Sequence, residues 1–457
     1  MTRSSVCTSR GSNHSARVLT GEAAAGHRPA LRVKCERLHF AGDLREADSV
    51  FHYFSATLHF MQNYKYLIVG GGMTADSAVH GIRSLDSEGS IGVISTESEA
   101  PYNRPPLTKA LWKGDPLESI WRKPETRNVT SHLGRTVKSL DVQNKRATDD
   151  LGNQFAWEKL LLATGGSPRR FPFGGDHIVY YRTLADYRRL RALTEKGQRF
   201  AVIGGGFIGS EIAAALALNG KKVTMLFPGT TIGGSVFPAE LGNFLNGYYR
   251  DKGVELRPGE TVIDVIPKGN AFVVRSRGSN ASAETELEVD GVVAGIGIEP
   301  NIELARAAGL KTDNGIVVNE QLATSHPDIF AAGDVARFPN PALGKSIRVE
   351  HEDHANTSGQ HVGRVMAGRA EPYEHLPMFY SDLFDLGYEA VGELSSRLET
   401  VTDWEEPNRK GVIYYLSENR VRGVLLWNVW GQVDAARQLI AQREPVDRSR
   451  LKGLIKG

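Results

Sequence analysis

From Tyr64 onward, short runs of apolar residues alternate with segments in which apolar positions recur at helical spacing. KYLIVG (65–70) predicts a strand, TADSAVHGIRSL (74–85) a helix and IGVIST (91–96) a second strand. This order predicts a parallel sheet covered by helices. The same order returns in RFAVIGGG, GSEIAAALALNG and KKVTMLF, between residues 199 and 227. The chain is therefore predicted to contain two α/β units of one design.

The pattern between and after these units is different. Alternating polar and apolar residues predict hairpin strands around Asp149 to Asn153 and more sheet over 254–278. Near residue 346 the pattern changes to a helix at about 354–367, then strands in EAVGEL, GVIYYLS and VRGVLLWNV, then a closing helix in DAARQLIAQ. We expect the C-terminal part to be a separate α+β module.

Composition excludes several classes of function. The chain has 457 residues, 24% charged, with a formal net charge of +2, so charge gives no case for a nucleic-acid partner. No apolar run reaches transmembrane length. Both cysteines, Cys7 and Cys35, lie near the N-terminus, which excludes a CxxC pair, a thiolate-bound iron–sulfur cluster and a cysteine nucleophile from the rest of the chain. Electron chemistry there needs an organic cofactor or a metal without thiolate ligands.

Residues 1–62 lack clear periodicity and are rich in Arg and Ser, with Glu22 as the one acid among residues 1–34. This composition is typical of a mitochondrial presequence. However, four helix-breaking residues interrupt it, namely Gly11, Gly21, Gly26 and Pro29. Since Met61 could begin a chain of this type, we prefer an extension that is disordered or not native. The predicted location is cytoplasmic, and mitochondrial if the presequence is genuine.

Two glycine-rich turns join a predicted strand to a predicted helix. Gly70, Gly72 and Ala75 fit G-x-G-x-x-A, and the second turn fits G-x-G-x-x-G with Gly204, Gly206 and Gly209. The first glycine permits the tight turn, the second admits a pyrophosphate, and the third position lets helix and strand pack closely. The helix N-terminus then offers free N–H groups to the phosphates. Two such matches predict two dinucleotide sites.

The residue that follows the second strand of each unit indicates how the adenosine ribose of the nucleotide is bound. Glu97, after IGVIST, could bind the adenosine ribose of the first dinucleotide, although an exposed loop acid is the alternative. VTMLFPGTTIGG (223–234) offers no acid and no Arg or Lys. A 2′-phosphate would need a basic partner, so NADH is favoured over NADPH.

Two later strands end in small residues, LLLATGGSPR (160–169) and IFAAGDVARF (329–338). Small residues let a flat cofactor or a sugar chain approach the backbone. Asp334 could accept hydrogen bonds from ribityl hydroxyls, or it could be a helix N-cap. In VEHEDH (349–354), His351 and His354 could lie on one helical face as metal ligands, but further ligands are missing, so we predict no metal.

We call the two glycine-rich turns the first and second fingerprints. In order along the chain, the first fingerprint, the ATG of LLLATGGSPR, the second fingerprint and the AGD of IFAAGDVARF resemble the flavoprotein reductases of the glutathione-reductase fold. PYNRPPLTK (101–109) resembles the branch without a disulfide, which comprises ferredoxin, rubredoxin and putidaredoxin reductases and apoptosis-inducing factor. Segments such as RVEHEDHANTSGQHVGRVMAG and EPYEHLPMFYSDL resemble apoptosis-inducing factor in particular. The resemblance runs from about Tyr64 to about Ile440. It implies an α/β fold of two Rossmann-type dinucleotide-binding domains plus a C-terminal α+β domain.

The resemblance implies domain limits and cofactors. It places the FAD-binding domain at 63–184 and 298–377, the NAD-binding domain at 185–297 and the C-terminal domain at 378–457. FAD would be held by Gly70, Gly72, Ala75, Glu97, Arg104, Lys109, Val137, Thr164, Gly165, Arg169, Asp334, His351 and His354. NAD(H) would be held by Gly204, Gly206, Phe207, Gly209, Glu211, Gly297 and Glu350.

Three of these residues are implied to be catalytic. Lys109 would pair with Glu211 beside flavin N5, and His351 would lie near the flavin on a helix N-terminus that stabilises negative charge. Phe207 would shield the flavin until nicotinamide displaces it, with a core aromatic as the alternative.

The implied activity is hydride transfer from NADH to flavin N5, with electrons passing on to an iron–sulfur protein, a quinone or another small oxidant. The alternative is a redox sensor with slow turnover. A homodimer is one alternative for the oligomeric state. Two departures from the pattern are Tyr380, where the family has another aromatic, and the short segment 395–409, where animal apoptosis-inducing factor carries a long insertion.

Overall fold

A computed structural model describes residues 61–123, 127–279, 283–442 and 444–456, together with the backbone of two earlier strands. Those strands, Ser15–Glu22 and Arg32–His39, pair antiparallel and belong to a unit separate from Phe60–Gly457. The sequence did not predict this hairpin. The other expectations for residues 1–62 fall on residues outside the description, apart from the start of the strand at Met61, and stay predictions.

The first α/β unit has a sheet in which the fingerprint strand is central. The strand Met61–Val69 pairs parallel with Ile91–Ser95 on one side and with Gln154–Leu162 on the other. The full set of strands is, in spatial order, Val129–Leu133, Ile91–Ser95, Met61–Val69, Gln154–Leu162, Arg146–Asp149 and Val137–Asp141, with Ile329–Ala331 also beside Gln154–Leu162. The predicted hairpin around Asp149 to Asn153 is present. The carboxyl ends of the parallel strands form the edge from which the helices begin.

The second α/β unit is a five-stranded sheet in which all neighbours are parallel. Its spatial order is Ile178–Tyr180, Gly291–Ala294, Arg199–Ile203, Lys222–Phe227 and Val254–Pro258. An antiparallel sheet adjoins it, formed by Glu260–Lys268, Ala271–Gly278 and Glu284–Val289. The fingerprint strand is again central.

The C-terminal part is a five-stranded antiparallel sheet, which contains the three predicted strands and two that were not predicted. Its spatial order is Met378–Leu383, Leu386–Gly392, Arg420–Trp427, Lys410–Ser417 and Glu399–Glu406. Smaller pairings join Gly166–Pro168 to Ile298–Pro300, and Thr312–Asp313, Gly315–Val317, Ala336–Asn340 and Lys345–Ile347 to one another. One core contains Phe237 of the second unit and Trp427 of this sheet. The predicted domain limits themselves stay a prediction.

Seven α-helices cover these sheets in the described part of the chain. They are α1 (Met73–Arg83), α2 (Leu184–Lys196), α3 (Phe207–Leu218), α4 (Ala239–Asp251), α5 (Glu303–Ala307), α6 (Glu352–Met366) and α7 (Val433–Ala441). Helices α1 and α3 begin directly after the second glycine of each fingerprint, and α6 starts two residues earlier than the pattern predicted. None of the described helices is long and apolar enough to cross a bilayer.

Helix α6 lies unusually close to α1, because glycines occupy the contact. A Cβ atom on Gly359 would lie 2.5 Å from the carbonyl oxygen of Thr74, and one on Gly363 would lie 2.2 Å from that of Ala78. Such distances exclude any side chain at these positions. The close contact brings the N-terminus of α6, with His351 as its N-cap, to the edge of the first sheet.

Candidate functional site

A large cavity of about 1190 Å³ joins the two fingerprints. Its lining includes Gly70–Thr74 from the first unit, Gly206–Ile208 from the second and Glu350–Asp353 at the start of α6. Met378–Tyr380 of the C-terminal sheet complete one side. The cavity is larger than a site for one small ligand and lies where the carboxyl ends of both parallel sheets converge, which is the usual ligand position in open α/β folds.

The fingerprint backbones fit two dinucleotides. Gly70 and Gly204 have φ values of 120° and 114°, and a Cβ on either would lie within 2.5 Å of a carbonyl oxygen. A Cβ on Gly206 would meet no atom within 4 Å, and one on Gly72 would meet only the Arg104 guanidinium at 3.9 Å. The first glycine of each motif therefore makes the turn, and the second opens onto the cavity in front of a helix N-terminus.

The residues at the third position of the two glycine motifs, Ala75 and Gly209, pack helix against strand and do not line the cavity. A Cβ on Gly209 would lie 2.0 Å from the carbonyl oxygen of Gly204, so only glycine fits there. Ala75 is fully buried within the first core. Neither residue, nor Gly204, faces the cavity. Their predicted part in nucleotide binding is therefore indirect, through the shape of the turn.

Glu97 lies on the cavity wall and is held by two donors. Its carboxylate pairs with the Arg104 guanidinium and accepts a hydrogen bond from the Tyr102 hydroxyl at 2.6 Å. Arg104 also donates to the Tyr102 hydroxyl at 3.1 Å. The predicted Glu97 and Arg104 thus come together, and the acid is fixed in orientation at the edge of the strand Ile91–Ser95.

Lys109 and Glu211 form a buried ion pair, as the resemblance implied. Lys109 Nζ lies 2.6 Å from Glu211 Oε1, and the two side chains are only 12% and 5% exposed. The Glu211 carboxylate also accepts hydrogen bonds at 2.6 Å from the hydroxyls of Thr108 and Ser381. The Lys109 ammonium lies 5.3 Å from the centre of the Tyr380 ring. The ammonium therefore neutralises the buried carboxylate, and the two hydroxyls help to orient it.

The N-terminus of α6 presents His351 to the cavity beside two aromatic rings. The imidazole stacks on Phe379 with ring centres 4.5 Å apart, and Phe207 lies 5.2 Å from the same ring. Burial lowers the pKa of His351 to about 4. The side chain is therefore neutral at physiological pH, and positive potential at this point comes from the helix N-terminus.

Two arginines that were not predicted organise the acids near Asp334. Arg182 Nη2 pairs with Asp334 Oδ2 at 2.7 Å, and Arg348 pairs with Glu350 at 2.8 Å. Arg348 also donates to the main-chain oxygen of Asp334 at 3.1 Å. Burial raises the pKa of Glu350. Asp334 and Glu350 thus lie on the same wall, each beside a guanidinium.

Besides Ala75, two predicted flavin residues do not line the cavity. His354 is fully buried, stacks on Phe338 at 4.5 Å and approaches the Tyr373 hydroxyl at 3.1 Å. The helical turn from His351 directs it into the core, so it does not line the cavity, and its contact with the flavin stays a prediction. Arg169 is half exposed and lies 4.0 Å from Glu299, outside the lining. The remaining predicted residues line the cavity, namely Val137, Thr164, Gly165 and Gly297.

VEHEDH does not gather its side chains around one point. Glu350 pairs with Arg348, His351 stacks on Phe379 and Asp353 accepts from His375 at 2.6 Å. His354 is directed into the core. In the described part of the chain, no group of three or more His, Cys, Asp or Glu side chains could hold a metal ion.

Sequence reasoning missed Thr108, Ser381, Arg182, Arg348 and Phe379. Thr108 stands beside Lys109 in the quoted motif, so its role could have been found from the motif. Ser381 and Arg182 lie 170 and 152 residues from their partners. No local pattern signals such contacts, because they depend on how the three units assemble.

Two family models match the chain. The pyridine nucleotide-disulphide oxidoreductase model covers residues 64–359. The C-terminal model of apoptosis-inducing factor, mitochondrion-associated, covers residues 362–409 and 402–442. Together they span both fingerprints, the cavity and the C-terminal sheet.

Individual relatives match over most of the chain. The mitochondrial apoptosis-inducing factor 1 of Dictyostelium discoideum is 34% identical, over 85% of this chain and 80% of its own. The ferredoxin–NAD(+) reductase component of the anthranilate 1,2-dioxygenase system of Burkholderia cepacia is 32% identical, over 82% and 94%. A crystal structure of the covalent putidaredoxin reductase–putidaredoxin complex superposes with a TM-score of 0.78 at 30% identity, over 85% of this chain and 95% of the other.

Proposed function

The chain belongs to the pyridine nucleotide-disulphide oxidoreductase family, and from this premise we propose that it oxidises NADH through a bound FAD and passes the electrons to an acceptor protein. The observation that carries the proposal is the shared cavity onto which both fingerprints open. The buried Lys109–Glu211 pair lies on the wall between them. Two nucleotides bound at the two motifs would therefore meet at one charged pair.

The first fingerprint holds FAD in this proposal. Gly72 and the N-terminus of α1 receive the diphosphate, Glu97 accepts from the adenosine ribose, and Asp334 accepts from the ribityl chain. The flavin, when bound, supplies the redox chemistry, because it accepts a hydride from NADH and releases electrons to an acceptor. Thr164 and Gly165, at the end of their strand, leave room for the cofactor.

The second fingerprint holds NADH. Gly206 and the N-terminus of α3 receive its diphosphate, and Gly297 and Glu350 line the path of the nicotinamide end. Phe207 begins α3 and packs directly against Phe379, and both rings line the cavity. We assign Phe207 the role of covering the inner part of the cavity until the nicotinamide ring takes its place, so that water is excluded in both states.

Lys109 and Glu211 keep their charges in a fixed arrangement where the two sites meet. The carboxylate accepts from Thr108 and Ser381 as well as from Lys109, and the ammonium cannot turn away without leaving a buried anion that lacks its cation. Lys109 therefore holds a proton and a positive charge at one place. His351 stays neutral, and the helix N-terminus behind it favours negative charge.

Stopped-flow spectroscopy of the FAD-loaded protein tests this function. The expected result is fast bleaching by NADH and fast recovery of absorbance with an acceptor. A screen should compare an iron–sulfur protein, a quinone and a small inorganic oxidant as acceptors. Loss of bleaching by NADH in protein that contains FAD would contradict the proposal.

A redox sensor with slow turnover is the second candidate, favoured by the C-terminal match over residues 362–442. It predicts slow bleaching and a persistent long-wavelength absorbance band with NAD bound. The same stopped-flow records distinguish the two candidates, because the enzyme requires fast recovery with at least one acceptor and the sensor requires slow recovery with all of them.

Three further expectations remain proposals. A cytoplasmic location, with a mitochondrial alternative, is tested by mass spectrometry of the native N-terminus and by cell fractionation. A homodimer is tested by sedimentation. The domain limits at residues 184, 297 and 377 are tested by limited proteolysis, which should cut near these positions before it cuts the sheets.

A further inference from the structure

In the second α/β unit, the turn that follows the strand Lys222–Phe227 carries no charged side chain. Lys222–Phe227 ends beside the fingerprint strand, and the next nine residues are PGTTIGGSV (228–236). An acid near the end of this strand normally accepts from the 2′-hydroxyl of the adenosine ribose, and its charge repels a 2′-phosphate. In this chain, uncharged residues take the place of that acid.

Gly229 occupies the point at which such an acid could project. A Cβ there would have only the Thr231 carbonyl oxygen near it, at 3.8 Å. The Gly229 carbonyl accepts from the Gly259 amide at 2.9 Å, so its backbone is fixed against the neighbouring strand end. A side chain at Gly229 would thus enter open space from an anchored position.

The turn is held rigid from the other side by helix α4. The side-chain amide of Asn246 accepts from the Ile232 N–H at 3.0 Å and donates to the Thr230 carbonyl at 2.9 Å. The buried asparagine therefore fixes the turn on both sides of Thr231. The space beside Gly229 is a constant feature of this edge of the sheet.

Two charged side chains near this edge lie on the next strand, Val254–Pro258. Arg257 donates to the Glu255 carboxylate at 2.8 Å, and the Thr224 hydroxyl donates to the same carboxylate at 3.0 Å. Glu255 and Arg257 therefore form a net-neutral pair, in which the carboxylate is the more exposed side chain, at 55% against 23%. These two strands thus present neither an unpaired carboxylate that would repel a 2′-phosphate nor an unpaired guanidinium that would attract it.

We propose that the second nucleotide site accepts NADPH as well as NADH, and that Gly229 is the position that sets this breadth. The proposal rests on the function assigned above and extends its substrate class. A 2′-hydroxyl finds no unpaired carboxylate at this edge to accept its hydrogen bond, so NADH gains little preference. A 2′-phosphate finds no repulsion, so NADPH loses little.

The experiment compares both nucleotides in FAD-loaded protein with ferricyanide as acceptor. The measured quantity is the ratio of kcat/KM for NADH to kcat/KM for NADPH. We expect a ratio below about 10 in the unchanged chain and an increase of about 10- to 100-fold in Gly229→Glu, since one repulsive charge near a phosphate has an effect of this order. Gly229→Gln is the matched control, with the same size and no charge, and should stay near the original ratio.

Binding measured by calorimetry gives a second readout without turnover. The affinities of NAD⁺ and NADP⁺ should be within about tenfold of each other in the unchanged chain and should separate in Gly229→Glu. A ratio above about 10 in the unchanged chain, or an unchanged ratio in the Gly229→Glu variant, would overturn the inference. Failure of both nucleotides to reduce the flavin would instead refute the proposed function itself.

Discussion

The two nucleotide sites share one backbone design and differ in their charged surroundings. At the first, Glu97 is fixed by Arg104 and Tyr102. At the second, the corresponding turn is uncharged around Gly229 and opens outward. Many fixed partners suit a cofactor that stays bound, whereas a sparse and open edge suits a substrate that must leave after each turnover. The difference between the sites therefore separates retention from exchange.

The strongest test of this comparison is the same substitution in both fingerprints. Gly72 and Gly206 have ordinary φ values of −88° and −86°, and a side chain at either would enter the cavity. A variant with aspartate at either position should therefore fold, but the new side chain would place a negative charge where the diphosphate must lie. Gly72→Asp should lose FAD, by about 100-fold or more in affinity, and Gly206→Asp should keep FAD and lose reduction by NADH.

Flavin content by absorbance and NADH reduction by stopped flow measure the two effects, and circular dichroism checks the fold. The substitutions are each other's control. If Gly206→Asp lost the flavin and Gly72→Asp kept it, the two sites would have been assigned the wrong way round.

The next largest effect is expected at the Lys109–Glu211 ion pair. Lys109→Met leaves Glu211 as a buried anion without its cation, which destabilises the protein. Lys109→Met/Glu211→Gln removes both charges and should recover most of the stability. We expect the double variant to bind FAD normally and to be reduced by NADH about 10- to 100-fold more slowly, an effect typical of a lost electrostatic group. Reduction at the original rate would show that the pair has only a structural role.

Glu97→Ala should weaken FAD without changing the apparent affinity for NADH. Loss of one charged acceptor should reduce flavin affinity about 10- to 100-fold. Release of flavin on dilution, followed by fluorescence, gives the measurement. Glu99→Ala is the matched control, because Glu99 pairs with the half-exposed Arg188 at 2.6 Å and should contribute little. Equal flavin loss in both variants would remove Glu97 from the site.

Ser381→Ala should have a smaller effect on the pair. It removes one of three donors to Glu211, so we expect reduction by NADH to be about three- to tenfold slower, on the order of one lost hydrogen bond. Ser381→Thr keeps the hydroxyl and should restore the rate of reduction. A change in stability alone, with the rate of reduction by NADH unchanged, would contradict the positioning role.

The smallest effect at neutral pH concerns the histidines of α6. Burial lowers the pKa of His351 and of His354 from 6.5 to about 4. The unfolded chain binds these protons first, so folding stability falls as pH decreases from about 6.5 to 4. His354→Phe should reduce this fall in Tm, and the reduction rate should show no inflection from His351 between about pH 5.5 and 8. An inflection there that disappears in His351→Gln would be contrary evidence.

The sequence predicts the parts of this molecule that depend on local pattern. The turns at Gly70 and Gly204 could be predicted, because only glycine fits these backbone conformations. The site around Lys109 could be predicted from the motif PYNRPPLTK, which is contiguous in the sequence. Ser381 and Arg182 escaped prediction because their partners come from distant elements. His354 was expected at the flavin from the family resemblance, but in the structure it packs against Phe338 and Tyr373 in the core.

The central claim is that a flavin held at the first fingerprint receives reducing equivalents from a nucleotide at the second. Anaerobic titration of the purified, FAD-containing protein with NADH tests it most directly. Absorbance at about 450 nm, where oxidised flavins absorb, should fall to completion at about one NADH per flavin. Protein that retains FAD but shows no bleaching, or that fails to take up FAD at all, would contradict the claim.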